Sequence, residues 1–149
     1  AAQNLPQRLI QKGTSLPECA GKQKELDLLL DVEHANSVTP QLMKTGNESL
    51  ELTWLRESNR LRLDRRNCGY PLTDDGSPEK MPYYEAPVTI KDNRLHLRIC
   101  VDVAIVEVFV GDGEVAMSTL AYPKGDSYDV SLRADGFVQI ISGMGWEIL

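Results

Sequence analysis

The sequence predicts an all-β fold, an antiparallel β-sandwich, and three observations support this prediction. Apolar residues recur at every second position in many short stretches, which is the pattern of strands with one buried face. Gly, Asn, Asp and Pro separate these stretches at short intervals, as turns do in antiparallel sheets. No stretch carries the sustained apolar period of an amphipathic helix. Many short strands joined by tight turns are typical of a sandwich.

The first 45 residues give two strand signals. Residues 1–22 are irregular and rich in Pro and Gly, so they are expected to be either a linker from an upstream domain or an edge strand near Arg8–Lys12. The sandwich domain is predicted to span residues 23–149. Alternation within Lys24–Val32 predicts a strand, Asn36–Pro40 a loop, and Gln41–Thr45 a short strand.

The middle of the chain predicts a hairpin and a long irregular segment. Gly46–Asn47 has turn chemistry, and leucines alternate with polar residues over Leu50–Trp54 and again around Leu61. The arginines of residues 56–66 alternate with leucines, so a solvated strand face is favoured over a phosphate-binding patch. Tyr70–Pro87 holds four prolines and is predicted to be irregular, and Val88–Ile90 is predicted to be a strand.

A change of parity near residue 102 marks the next pair of strands. Apolar residues occupy odd positions up to Val101 and even positions from Val106 onward. To keep both rows on one side, the chain must bend or bulge near Asp102–Ala104, and a new strand begins near Ile105. Five residues on this side are predicted to form the core: Leu97, Ile99, Val106, Val108 and Val110.

A hairpin turn is predicted next. The run Gly111–Glu114 holds an Asp-Gly pair between two apolar stretches, which is among the strongest short-range signals for a hairpin, so Val115–Tyr122 is the returning strand. Phe109 has the opposite parity to its valine neighbours and is expected on the outer face; the alternative is that its ring fills the core of a self-contained domain. Further strands are predicted at Ser127–Arg133 and Phe137–Leu149, with turns at Asp92–Asn93, Gly125–Asp126 and Asp135–Gly136.

The run from the parity change to the returning strand resembles a signature of the C-terminal β-sandwich domain of glycoside hydrolase family 32, the invertases, levanases and inulinases. Two departures are visible: Cys100 stands where the family commonly has Phe, and Val103-Ala104-Ile105 stands where it has Arg-Ser-Ser. The resemblance implies a lectin-like sandwich of two sheets with about six strands each, following a catalytic β-propeller. The matching residues are Val101, Asp102, Val106, Glu107, Val108, Phe109, Asp112, Gly113, Glu114 and Pro123.

Composition limits the classes of partner and site. The 149 residues carry a net charge of −6, which argues against nucleic-acid and anionic-membrane partners. Three widely spaced cysteines fit neither a zinc ribbon nor a disulfide framework, and no cofactor or metal site is predicted. Asp74, Asp75 and Glu79 lack the spacing of a hand-type calcium loop, so a plain surface turn is favoured there.

The sequence does not support a catalytic site. A retaining glycosidase needs two carboxylates about 5 Å apart across the sugar. Asp102 and Glu107 flank a turn instead, and structural roles are expected, with Asp102 accepting backbone N–H bonds and Glu107 on the outer face. In the family, catalysis belongs to propeller motifs resembling Asn-Asp-Pro-Asn-Gly, Arg-Asp-Pro and Glu-Cys. Only Glu18–Cys19 spells one of them, and coincidence is the preferred interpretation.

Two surface roles follow from the aromatic residues. Rings stack on sugar faces, so Trp54, Tyr83 and Tyr84 are candidate carbohydrate-binding residues, although large aromatics mostly pack in cores. Alternatively, one sheet packs on the propeller of the same chain, and the isolated domain then exposes apolar surface and tends to form a homodimer. A free-standing lectin-like module that binds fructan is the competing hypothesis. The candidate interface residues are Phe109, Tyr122 and Trp146.

Overall fold

The computed structural model describes residues 2–10, 13–70, 83–111, 115–126 and 128–148. These residues form antiparallel strands and one 3-10 turn at Pro17–Cys19, and none of their helices is long and apolar enough to cross a membrane. The strands are β1 (Gln3–Asn4), β2 (Arg8–Ile10), β3 (Thr14–Ser15), β4 (Gln23–Asp31), β5 (Ala35–Thr45), β6 (Glu48–Leu55), β7 (Arg60–Asp64), β8 (Tyr83–Pro87), β9 (Arg94–Asp102), β10 (Ile105–Val110), β11 (Val115–Leu120), β12 (Asp129–Gly136) and β13 (Val138–Glu147).

The strands form two sheets that pack face to face. Sheet A has the order β1-β13-β4-β9-β10-β11, with β2 also paired to β13, and sheet B has the order β3-β12-β5-β6-β7-β8. The predicted antiparallel β-sandwich is therefore confirmed, with seven strands in sheet A and six in sheet B. Sequence-adjacent strands pair within hairpins, whereas β4, β12 and β13 connect distant parts of the chain.

The core lies between the inner faces of the two sheets. Sheet A contributes Leu26, Leu28 and Leu30 of β4, and sheet B contributes Leu50, Leu52 and Trp54 of β6, all fully buried. The five core residues predicted from parity are confirmed, since each is at most 3% exposed. Alternation with period two is a local consequence of strand geometry, which is why the sequence alone places these side chains.

Tight two-residue turns allow the inward-facing positions to change from odd to even numbers while the apolar side chains stay on one side of the sheet. Asp102 pairs with Ile105, so Val103 and Ala104 form a two-residue hairpin turn, and Val103 has a φ of +55°. Asp92 and Asn93 both have positive φ, 55° and 57°, as a type I′ hairpin requires. The predicted bend and the predicted Asp92–Asn93 turn are thus both confirmed. The predicted turns at 112–114 and 74–77, with the acidic residues near 74–79, lie outside the described residues.

The loop predicted for Asn36–Pro40 is wrong, because β5 runs through it. Pro40 is buried and pairs with Leu132 of β12. On its other side, the pairing of β5 with β6 skips Pro40, from Val38 opposite Trp54 to Gln41 opposite Glu51. Proline has no N–H to donate at this point. A hydrogen bond of 3.0 Å between the side chains of Thr39 and Thr53 joins the two strands there.

Two boundaries near the later strands also differ from the prediction. The strand predicted at Val88–Ile90 is wrong, and the edge strand is β8, Tyr83–Pro87, inside the segment predicted to be irregular. An edge strand tolerates Pro87 because one side of its backbone needs no partner. Asp135–Gly136 is not the predicted turn but the bulged end of β12, where Gly136 has a φ of +101° and comes close to the carbonyl of His34.

The first residues are edge strands rather than a free linker. β1 and β2 pair with β13 of sheet A, and β3 pairs with β12 of sheet B. Three apolar side chains of this region, Leu5, Ile10 and Leu16, are buried in the core. Glycine at position 145 allows the 3-10 turn to close over β13, since an added Cβ would lie 2.5 Å from the Glu18 carbonyl oxygen.

Candidate interaction surfaces

The outer face of sheet B is a polar network. Gln41 is at its centre: its amide Nε2 donates to Glu51 at 3.2 Å, and its Oε1 accepts from the Ser131 hydroxyl at 2.7 Å. Glu51 also forms an ion pair with Arg133 at 3.2 Å. The polar atoms of this face are therefore largely satisfied by one another, and Ser131 is only 4% exposed.

The arginine-rich run continues this network toward the edge of sheet B. Arg60 and Arg62 each contact Glu85 at 3.2 Å, and Arg66 pairs with Asp64 at 2.6 Å. Burial alone raises the pKa of Asp64, but the hydrogen bonds and charge of Arg66 outweigh it and hold that pKa below its usual range. These guanidinium groups are engaged with carboxylates on an outer strand face, as the alternation with leucine predicts.

The three predicted carbohydrate-binding residues do not share a surface. Trp54 is fully buried, so its predicted sugar contact is wrong: its parity places it in the core, where the Arg56 guanidinium lies 5.0 Å from its ring centre. Tyr83 packs against Arg62 and faces outward with the sheet B network. Tyr84 is 38% exposed at the sandwich edge.

A shallow groove lies beside Tyr84, where the edge strands of the two sheets meet. Its lining includes Arg65, Thr119 and Leu120. The Arg65 guanidinium donates to the Thr119 hydroxyl at 2.8 Å and to the Tyr84 hydroxyl at 3.3 Å. This bridge connects sheet B to sheet A and holds the Tyr84 ring in place.

The outer face of sheet A combines aromatic and charged side chains. The Asp27 carboxylate accepts a hydrogen bond from the His96 ring at 2.7 Å, and Glu25 accepts one from the Arg98 guanidinium. Arg98 also lies over the Trp146 ring, 5.8 Å from its centre. The charges at the centre of this face are thus paired, while the Trp146 ring lies at one side.

Two open grooves run along this face and share Asp27. The larger, of about 580 Å³, is lined by the paired charges together with Cys100 and Phe109. The smaller, of about 230 Å³, is lined by Asn4, Met144 and Trp146 among others. Because the grooves are adjacent, the face is a shallow, continuous depression flanked by aromatic rings.

Two of the three predicted interface residues lie on the same face of sheet A. Phe109 and Trp146 are half-buried in neighbouring rows of the sheet A face. Tyr122 is not with them; it lies past the end of β11, where its carbonyl accepts the Tyr70 N–H at 2.9 Å. Sequence reasoning missed Met144 on the same face, although the alternation in β13 carries the signal.

The acids and cysteines singled out in the sequence do not form a reactive site. Asp102 does not accept backbone N–H bonds in its own bend as predicted. Its carboxylate accepts from the Gln23 side chain at 3.2 Å, and the Val103 N–H donates to the Lys22 carbonyl at 2.7 Å. Burial raises the pKa of the Cys19 thiol to about 12 and that of Cys68 to about 11. Among the described residues, no three His, Cys, Asp or Glu side chains are arranged to hold a metal ion.

Comparisons with known proteins agree on one family. The model of the family described as "Glycosyl hydrolases family 32 C terminal" matches residues 2–146. A levanbiose-producing levanase of Bacillus subtilis is 37% identical over 62 residues, 40% of this chain and 12% of that protein. A sucrose-6-phosphate hydrolase of Escherichia coli is 34% identical over 71 residues, 47% of this chain and 15% of that protein.

Solved structures share the fold. An exo-inulinase from Aspergillus awamori superposes with a TM-score of 0.81 at 21% identity, covering 100% of this chain and 29% of that one. A fructan 1-exohydrolase IIa from Cichorium intybus gives a TM-score of 0.80 at 14% identity, covering 99% of this chain and 35% of that one. The chain therefore spans only a minor part of the proteins that it resembles.

Proposed function

Because the chain belongs to the family of glycosyl hydrolases family 32 C-terminal domains, we propose that it is the non-catalytic C-terminal domain of an enzyme that cleaves fructosyl linkages in sucrose, levan or inulin. It stabilises the catalytic β-propeller of the same parent chain and borders its cleft. The observation that carries this proposal is the family match over residues 2–146, in a chain that covers 12% of the levanase it resembles.

The chemistry of the described residues supports a non-catalytic role. The acids that line the sheet A groove, Glu25 and Asp27, are each engaged with a basic side chain, Arg98 and His96. A glycosidase instead keeps one carboxyl group protonated as a general acid, with the second carboxylate facing it across the sugar. The signature acid Glu107 is exposed on a strand face.

Activity assays test the proposal. The 149-residue chain alone should show no turnover of sucrose, inulin or levan, and the full parent enzyme should cleave at least one of them. Removing the domain from the parent should lower its thermal midpoint, because the propeller loses a packed neighbour. Measurable turnover by the isolated chain, or a truncated parent as stable as the full one, would contradict the proposal.

Tyr84 favours a second candidate function, binding of fructan by the domain itself. Its ring is partly exposed beside the groove that contains Arg65 and Thr119. Calorimetry of the isolated chain against fructo-oligosaccharides, with Tyr84→Ala as the test variant and the exposed Tyr70→Ala as the control, measures this directly. No heat of binding at millimolar sugar would remove this candidate.

A further inference from the structure

We infer that the outer face of sheet A is the surface on which the upstream domain of the parent chain packs. This inference rests on the proposed function and adds the contact surface to it. Three rows of side chains define the surface: Gln23, Asp102, Ile105 and Leu120; Trp146, Glu25, Cys100, Glu107 and Ser118; Met144, Asp27, Arg98, Phe109 and Ala116.

Apolar side chains on this face lack a cover. Ile105 and Leu120 pair with each other and are 45% and 44% exposed, and Met144 is 38% exposed. Single exposed apolar residues are ordinary on a protein surface. Here they share one face with the half-buried rings of Phe109 and Trp146, and such a grouping marks a contact surface.

The charges of the face suit burial against another domain. Glu25 is bonded to Arg98, and Asp27 to His96, so these side chains already have partners before anything covers them. Burying a charge that already has a hydrogen-bonded partner costs less than burying an isolated charge. Interfaces between domains of one chain are more polar than obligate subunit interfaces, and this mixture of rings and ion pairs fits that class.

The position of β1 supports an upstream domain as the occupant. β1 joins the sandwich at the edge of sheet A, with Gln3 opposite Gly145 and Asn4 opposite Met144. Asn4 lines the same groove as Trp146. A domain that precedes β1 in the parent chain would therefore be attached at the margin of this face.

The relatives are long enough to carry a further domain beside this one. The matched segment is 12% of the levanase and 15% of the sucrose-6-phosphate hydrolase. The structural match covers 29% of the exo-inulinase chain. Most of each of these proteins therefore lies outside the domain, whereas a second copy of this chain has no comparable argument in its favour.

Hydroxyl-radical footprinting of the isolated chain and of the full parent protein tests the inference. Met144 and Tyr84 form a matched pair, since each is 38% exposed and they lie on different surfaces. Because modification follows exposure, Met144, Phe109 and Trp146 should react roughly fivefold more slowly in the parent, whereas Tyr84 should react equally in both. Buried Met43 is the unreactive control.

The possible outcomes distinguish an upstream domain from a second copy of this chain as the partner of this face. Equal rates at Met144 in both proteins would overturn the inference. Protection of Met144 in the isolated chain that grows with protein concentration, with no further protection in the parent, would assign the face to a second copy and also overturn it. The proposed function is judged separately by the truncated parent: a loss of stability on truncation without protection at Met144 would keep the function and reject this surface.

Discussion

The two outer faces of the sandwich differ in how their side chains are satisfied. On sheet B, Gln41 and Glu51 bond to each other and to Ser131 and Arg133 on an adjacent strand. On sheet A, Glu25 and Asp27 are each bonded to a basic side chain, Phe109 and Trp146 are half-buried, and Met144 is exposed. A face whose polar groups bond to one another can stay exposed to water at little cost. Covering a face with exposed apolar side chains lowers the free energy, because apolar surface is removed from water.

The comparison of the outer faces assumes that the inner faces of both sheets contribute to one packed core. Leu52→Ala in sheet B should cost about 2–5 kcal/mol, and Val108→Ala in sheet A about 1–3 kcal/mol, because each leaves a cavity between the sheets. Both residues are fully buried. Chemical denaturation of the isolated chain measures both values. An unchanged midpoint for Val108→Ala would show that β10 does not face the core.

The polar network of sheet B predicts a smaller effect. Thr39 is 3% exposed and bonded to Thr53 at 3.0 Å, so Thr39→Val should cost about 1 kcal/mol by leaving the Thr53 hydroxyl unpaired. The double variant Thr39→Val, Thr53→Val should recover most of that loss. If the single and double variants lose equal stability, the hydroxyl pair does not hold this face together.

The smallest effect concerns pH. Since Arg66 holds the pKa of Asp64 below its usual range, the pair stabilises the fold above the unfolded-state pKa, and that contribution is lost as pH falls through the lowered folded-state pKa. Asp64→Asn should therefore flatten the acid side of the stability profile. Asp102→Asn is the control, because its partner Gln23 is uncharged. Parallel acid profiles for wild type and Asp64→Asn would contradict the assignment.

The sequence predicts the features that depend on local periodicity. The core position of Val108, the outward position of Phe109 and the turn at Asp92–Asn93 all follow from period two and turn chemistry. The strand through Pro40 escapes this reasoning, because the Thr39–Thr53 bond that accompanies it joins residues on different strands.

The candidate surface depends on strand order, which periodicity does not contain. Trp146 and Phe109 share a face only because β4 and β9 lie between β13 and β10. The family resemblance correctly identified the fold, but not which outer residues meet. Trp54 shows the opposite error, since its chemistry suggested a sugar contact while its parity with the leucines of β6 already indicated burial.

The most direct test of the difference between the two faces compares Phe109→Ser with Leu55→Ser, each in the isolated chain and in the full parent protein. Both residues are half-buried on outer faces, Phe109 on sheet A and Leu55 on sheet B. Phe109→Ser should destabilise the parent by roughly 1 kcal/mol more than the isolated chain, because the parent also loses an interdomain contact. Leu55→Ser should cost the same in both. An equal cost of Phe109→Ser in the two proteins would contradict the account.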